Sequence, residues 1–324
     1  RKRARLFAIA AKDKLFAGML DDINDFGLEL CFPFSAMGGA YQPFALSTER
    51  LDSQQKQMQF VQGFWSMAEQ GAFGAKINLS RFKSEGENAH IFLHEVMHFY
   101  QDMLGLYFLP IQEQGVFPMT LDAPSALRAF LFCEAWAEVE AIRTSWALRE
   151  KGDARAWRGA MKSKDWQSLA RSYDTNMQNG MDEAKAAATL FRAWYEGDHR
   201  AFYEREAMKI YESNMARYLD GLGEEQVVRD QFRHLDYAKL REHITPQHLP
   251  RYLTQIDWSD DVFHRVVDEQ AQQILDALAQ RYGISNNTNI QDIKNGAPAY
   301  LWKRLRISEV SNAQVPPSPE PEKK

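Results

Sequence analysis

His94-Glu95-Val96-Met97-His98 is the stretch of this chain whose residue types and spacing can do chemistry. On a helix, positions four apart lie on one face, so both imidazoles can address one Zn²⁺. Glu95 follows the first imidazole and can stand beside a zinc-activated water as its general base. The chemistry implied is hydrolysis. A chance occurrence of this pattern in a chain of 324 residues has a probability of roughly 1–2%. The flanks lower it: Ile91, Phe92 and Leu93 precede the motif and Phe99 and Tyr100 follow it. A carboxylate among two histidines and so many apolar neighbours is costly unless a cation compensates it.

Two histidines are not a catalytic zinc site, which takes three protein ligands and an open position. His90 extends the row to 90, 94 and 98, but three ligands along one helix span about 12 Å, too far for a single ion. His90 therefore reads as structural or cleft-lining. A better source is Glu134-Ala135-Trp136-Ala137-Glu138. The two glutamates are one turn apart on a helix that begins at Asp122 and carries Leu127, Leu131, Ala141 and Ser145 on the same face. Buried carboxylates are rarely left unpaired. A ligand role for one, and a hydrogen bond from a ligand histidine to the other, satisfies both. The competing expectation is a solvated helix face paired with Arg128, Arg143 or Arg149.

HExxH with a glutamate on a following helix and a further acid four positions on resembles the gluzincins, the group of zinc peptidases to which thermolysin belongs. The longer pattern, His94-Glu95-x-x-His98-x-x-Gln101 with Glu134-Ala135-x-Ala137, is similar to bacterial metallopeptidase domains. The resemblance covers residues from about 75 to 145. It implies a zincin-like fold, one Zn²⁺ per chain on His94, His98 and Glu134, Glu95 as catalytic base, and Glu138 as the acid that orients a ligand histidine. Thermolysin-like motifs usually carry Asp at that last position, which leaves the order of Glu134 and Glu138 open. The metzincin pattern is excluded, because Gln101 and Leu104 stand where it requires Gly and His.

The fold class expected is α+β, predominantly α. A zincin-like core with a small N-terminal sheet and the active-site helix occupies 1–151, a helical region 152–310 completes the cleft or binds a partner, and a Pro-rich tail 311–324 is disordered. The apolar stripe of residues 4–25 predicts one helix. Strands are expected at Leu28–Phe34 and Ala75–Ser80, a loop around Met37-Gly38-Gly39 and Pro43, and a helix from Asp52 or Ser53 to about Gln70. The motif helix should run from near Glu87 to about Gly105, and the loop Leu109–Thr120 is a candidate cleft wall. Helices follow at roughly 155–170, 181–196, 198–220, 224–242, 259–282 and 289–304. The strand before the motif is the candidate for pairing with an extended substrate, through Ala75, Ile77 and Leu79. For an oxyanion donor, Tyr195, His199, Tyr203, Tyr211 and His234 are all open.

With 45% hydrophobic residues the chain can bury a sizeable core, and its net charge of −5 argues against a nucleic-acid partner. The two cysteines, Cys31 and Cys133, read as reduced thiols without a metal role. No uninterrupted run of eighteen apolar residues exists, so no transmembrane helix or membrane partner is expected. The basic opening Arg1-Lys2-Arg3-Ala4-Arg5 is followed by too short an apolar run for a signal peptide. The chain reads as a piece of a longer polypeptide, either cytoplasmic or delivered as a bacterial effector. Its partner is a peptide or protein substrate, with no oligomeric state implied. The alternative is a zinc-stabilised or inactive zincin scaffold that binds protein.

Overall fold

The structure is a computed structural model that describes residues 2–26, 28–32, 39–42, 75–103, 122–222 and 250–282. The helices expected at 52–70, 224–242 and 289–304, the loop 109–120, His234 and the tail 311–324 lie outside these residues. The described part is predominantly helical.

Helices α1 (Lys2–Ala10) and α2 (Lys14–Phe26) open the chain, where one continuous helix was expected. The cause of the break is Asp13. Its side chain accepts from the backbone N–H of Leu15 at 2.9 Å and of Phe16 at 3.3 Å, which starts a new helix. The stripe still faces one core: Leu6, Ile9, Ala10, Phe16, Met19 and Leu20 are buried.

Three short strands follow, β1 (Leu28–Cys31), β2 (Gly39–Gln42) and β3 (Ala75–Leu79), in the spatial order β1-β3-β2. β1 is parallel to β3 and β2 antiparallel to it. Gly39 to Gln42, expected as loop, is thus a strand. Gly39-Ala40-Tyr41-Gln42 carries no apolar alternation to betray it; its partner supplies the order.

The position of β3 corrects the candidate substrate strand. Lys76, Ile77 and Asn78 each pair on both sides, Ala75 pairs with Leu28, and Leu79 with Gly39. A strand whose N–H and C=O groups are already taken on both edges cannot accept a substrate by backbone pairing. Ile77 and Leu79 are fully buried core residues instead.

The motif helix α3 (Glu85–Met103) begins at a capping box. Ser84 Oγ accepts from Glu87 N at 3.2 Å, and Glu87 Oε2 accepts from Ser84 N at 3.0 Å. Asn88 Nδ2 ties this start to β3 by donating to Ser80 O at 3.0 Å. From Asn88 to Gln101 every residue of α3 is buried, so this helix runs through the core rather than along its surface.

Helix α4 (Ala123–Glu150) crosses α3. Asp122 caps it by accepting from Ser125 N at 2.8 Å, and Pro124 sits in its first turn, where a missing N–H costs nothing. Short helix α5 (Arg155–Ala160) returns against the first turn of α3. Backbone meets backbone there: a Cβ on Gly159 would stand 2.1 Å from Gly86 O, and one on Gly86 2.5 Å from Arg155 O. The chain then forms α6 (Gln167–Gln178), α7 (Glu183–Glu196) and α8 (His199–Leu222). Two 3₁₀ turns, Arg251–Gln255 and Asp261–Phe263, precede α9 (Glu269–Tyr282).

The single helices expected at 155–170 and 259–282 are therefore each divided. In the second, Asp260 caps the turn that starts at Asp261, through Val262 N at 3.0 Å, and a fully buried ion pair holds the rest extended. Glu204, paired with Arg200 at 2.7 Å, accepts from Val267 N and Asp268 N at 2.7 and 2.8 Å. One buried apolar cluster runs from Leu6 to Leu278, and it continues across the boundary expected at residue 151.

Candidate metal centre and active site

One turn of α3 presents His94 and His98 on the same side, and α4 brings Glu134 against them. His94 Nε2 and His98 Nε2 are 2.9 Å apart, and Glu134 Oε2 and Oε1 lie 3.5 and 3.4 Å from them. All three residues are buried. Among the described residues this is the group of His, Cys, Asp or Glu side chains whose ligand atoms converge closely enough to hold an ion.

The far side of each imidazole is equally well defined. Glu138 Oε2 accepts from His94 Nδ1 at 3.0 Å. Gln101 Oε1 accepts from His98 Nδ1 at 2.9 Å, and the orientation of that amide is set because its NH₂ group donates to Cys133 O at 2.8 Å. Both Nδ1 atoms therefore carry a proton, and in the neutral rings both Nε2 atoms turn a bare lone pair inward. Two lone pairs and a carboxylate facing one another in a buried space repel unless a positive charge, a proton or a metal ion, lies between them.

The donor set fits Zn²⁺. Two imidazole nitrogens and a carboxylate oxygen are borderline ligands of the kind zinc takes, and three of them leave a fourth position open. Bonds of about 2.0–2.2 Å in a tetrahedron put ligand atoms roughly 3.3–3.5 Å apart. Each nitrogen has one of the two Glu134 oxygens at that distance, one ligand atom from each of the three residues lies within 4.8 Å of the others, and the two nitrogens reach that spacing by separating a few tenths of an ångström.

The charges around the histidines draw positive charge to the same place. Burial works against a charged His94, yet the hydrogen bonds to Glu134 and Glu138 and the charges of Glu138 and Glu95 outweigh it and hold its pKa well above the ordinary value. Burial likewise opposes ionisation of Glu134, but the neighbouring His98 and His94 lower it to about 2. His90 and His94 do the same for Glu138, also to about 2. Carboxylates that stay ionised in such a dry place are ready to meet a positive charge.

Glu138 bridges two histidines. Its second oxygen, Oε1, accepts from His90 Nε2 at 3.1 Å, and His90 Nδ1 meets the Ser145 hydroxyl at 3.1 Å. His90 is fully buried and stacks at 4.6 Å on Trp166. The expectation of a solvated acidic face paired with arginines is thus corrected: Glu134 and Glu138 are 5% and 2% exposed and are paired with histidines. The role of Gln101 was missed from sequence, although its position three residues after His98, on the same helix face, was a signal for it.

Glu95 is buried at 6% exposure beside this group, and its charge is felt by both His94 and Tyr203. Of the aromatic candidates, Tyr203 on α8 is the one whose side chain feels the charges of Glu134, Glu138 and Glu95 together. Burial, then Glu134, Glu138 and Glu95, push its pKa well above the ordinary phenol value. His199 meets Trp194 edge-on at 5.0 Å between ring centres, and burial lowers its pKa. Tyr195 and Tyr211 are core residues; Tyr195 packs on Phe191 and Phe263.

No curated protein and no solved structure shows significant similarity to the chain. A family does. Residues 54–233, more than half of the chain, match it, and the match spans the motif helix, the carboxylate helix and the helices that pack behind them as far as Tyr203 and beyond. With its His94, His98 and Glu134 drawn together inside that span, the chain belongs to the family described as "Putative metallopeptidase family (DUF6782)".

Proposed function

We propose that the chain is a zinc-dependent peptide hydrolase of gluzincin type, with one Zn²⁺ held by His94, His98 and Glu134. The observation that carries this reading is the convergence of His94 Nε2, His98 Nε2 and the Glu134 carboxylate, with both Nδ1 atoms engaged from behind by Glu138 and Gln101. The order of elements supports a zincin-like core: a strand leads directly into the motif helix, and the next helix brings the third ligand. Bound there, Zn²⁺ supplies a Lewis acid that draws the pKa of a water toward neutrality.

The chain's own groups do the rest. Glu95 takes the proton of the attacking water and returns it to the leaving nitrogen. Tyr203, with its pKa held above the ordinary value, keeps its phenolic proton and donates to the substrate oxygen as negative charge builds there. Glu138 and Gln101 keep both imidazoles in the ligating tautomer. The substrate is a peptide or unfolded protein in extended form; β3, paired on both sides, is not its docking strand.

The test is cleavage of an unfolded protein by the zinc-loaded full chain. Glu95→Gln should keep its zinc and lose turnover by about 10²- to 10⁴-fold. Tyr203→Phe should keep zinc and lose roughly a hundredfold in kcat with little change in KM. Cleavage by Glu95→Gln at the parent's rate would leave the zinc site as a structural element of a binding scaffold.

A further inference from the structure

Glu138 stands behind His94, and something must hold Glu138 in turn. The last torsion of a glutamate is broad, so the side chain does not fix the plane of its own carboxylate. At 2% exposure no solvent shell fixes it either. His94 Nδ1 donates to Oε2 at 3.0 Å, and a single hydrogen bond leaves the carboxylate free to turn about it. The second oxygen is therefore decisive, and His90 Nε2 lies 3.1 Å from Oε1.

His90 is itself firmly placed. It is fully buried, packs against Trp166 at 4.6 Å between ring centres, and its Nδ1 meets the Ser145 hydroxyl at 3.1 Å. An ionised carboxylate only accepts, so the nitrogen that faces Glu138 must carry a proton. The serine hydroxyl can donate or accept, and it suits the other nitrogen in either case. The result is a ladder between two helices. His90 and His94 are one turn apart on α3, Glu138 and Ser145 two turns apart on α4. The three rungs are Ser145–His90, His90–Glu138 and Glu138–His94. Sliding either helix along the other by a turn would break all of them.

We propose that His90 is a positioning residue of the metal centre: its Nε2–H fixes the Glu138 carboxylate, which in turn fixes the His94 ring for zinc. This inference rests on the zinc reading of the site. His90 touches neither the ion nor the substrate, because it lies too far along α3 to share one ion with His94 and His98. Without its N–H, Oε1 of Glu138 becomes a buried acceptor that lacks a donor, and the carboxylate gains by turning away to find one. That turn loosens His94.

Zinc affinity of the full chain, measured by competition with a chromogenic chelator, tests this role without recourse to activity. His90→Phe keeps an aromatic ring against Trp166 and removes both nitrogens, and it should weaken zinc about tenfold. His90→Gln, whose amide can donate to Glu138 and still meet Ser145, should recover most of that loss. Packing alone would rank the two variants the other way, since Phe preserves the ring and Gln does not. Nitrogen NMR on the full chain carrying labelled histidine reads the same hydrogen bond in the parent, even should His90→Phe fail to fold: His90 should be protonated at Nε2. A His90→Phe chain that binds zinc as tightly as the parent, a His90→Gln chain no better than His90→Phe, or a bare His90 Nε2 would each overturn this role and leave the zinc site standing. A parent that takes up no zinc would overturn the zinc reading and this inference together.

Discussion

Two residues behind the histidines decide what the histidines can do. A ligating imidazole needs its outer nitrogen protonated and its plane fixed, and Glu138 and Gln101 provide this for His94 and His98. They are not equivalent. Glu138 is charged and shared between His94 and His90, whereas Gln101 is neutral and held by a single backbone carbonyl. Glu138→Gln should therefore weaken zinc binding by roughly 10- to 100-fold, and Gln101→Leu by less, both measured by competition with a chromogenic chelator. Equal losses would mean that charge at Glu138 does not matter. Sequence spacing brought out His94, Glu95, His98 and the two glutamates because ligands on a helix obey its period. The order proposed for the glutamates rests on which of them meets both Nε2 atoms, and that depends on where the backbone of α4 passes α3, which spacing does not contain.

At the scale of elements, the candidate metal site depends on how closely three helices, α3, α4 and α5, approach one another. α3 is buried all round, so its position is set by contacts at every face, and the tightest is the glycine crossing with α5. Gly159→Ala should push the first turn of α3 away and lower stability by about 1–3 kcal/mol, read from denaturant unfolding. A stability unchanged within about 0.5 kcal/mol would show that this crossing has slack. Helix α4 was legible because its signals are local: an Asp cap, a Pro in the first turn and an alanine-rich body. The breaks at Asp13 and after the turn at Asp261–Phe263 were not. Asp13 sits inside an apolar pattern that continues across it, and Val267 and Asp268 are held out of helix by Glu204, more than sixty residues away. β2 and the central place of β3 depend on long-range pairing, which no local pattern encodes.

Over the whole molecule, ion pairs link the N-terminal helices to the helical body. Asp153, just after α4, accepts from Lys12 at 2.6 Å and from Arg155 at 2.7 Å, and Arg155 also reaches Glu85 at the start of α3. The Arg155 hydrogen bond outweighs the cost of burial and, with Lys12, holds the Asp153 carboxyl below the usual carboxylate range. A carboxyl lowered on folding contributes stability above its unfolded pKa, near 3.8, and loses it as pH falls through the folded value. Asp153→Asn should thus cost about 1–2 kcal/mol at neutral pH, with the gap to the parent closing progressively below about pH 4. A gap that stays constant down to pH 2 would rule out this linkage. Among the described residues no helix is long and apolar enough to cross a membrane, and the predominantly helical character expected from sequence is what those residues show. The aromatic packing of Phe132, Phe191, Trp258 and Phe263, which ties the segment before α9 to α4 and α7, joins positions too distant in sequence to be paired by reading alone.

The central claim is that His94, His98 and Glu134 hold one zinc ion, and zinc content measures it most directly. The full chain, purified, loaded with zinc and freed of excess, should carry close to one equivalent by elemental analysis. His94→Ala and Glu134→Ala should carry almost none, and Glu95→Gln should match the parent. A parent chain without zinc, or a Glu134→Ala variant that retains a full equivalent while folded, would contradict the account.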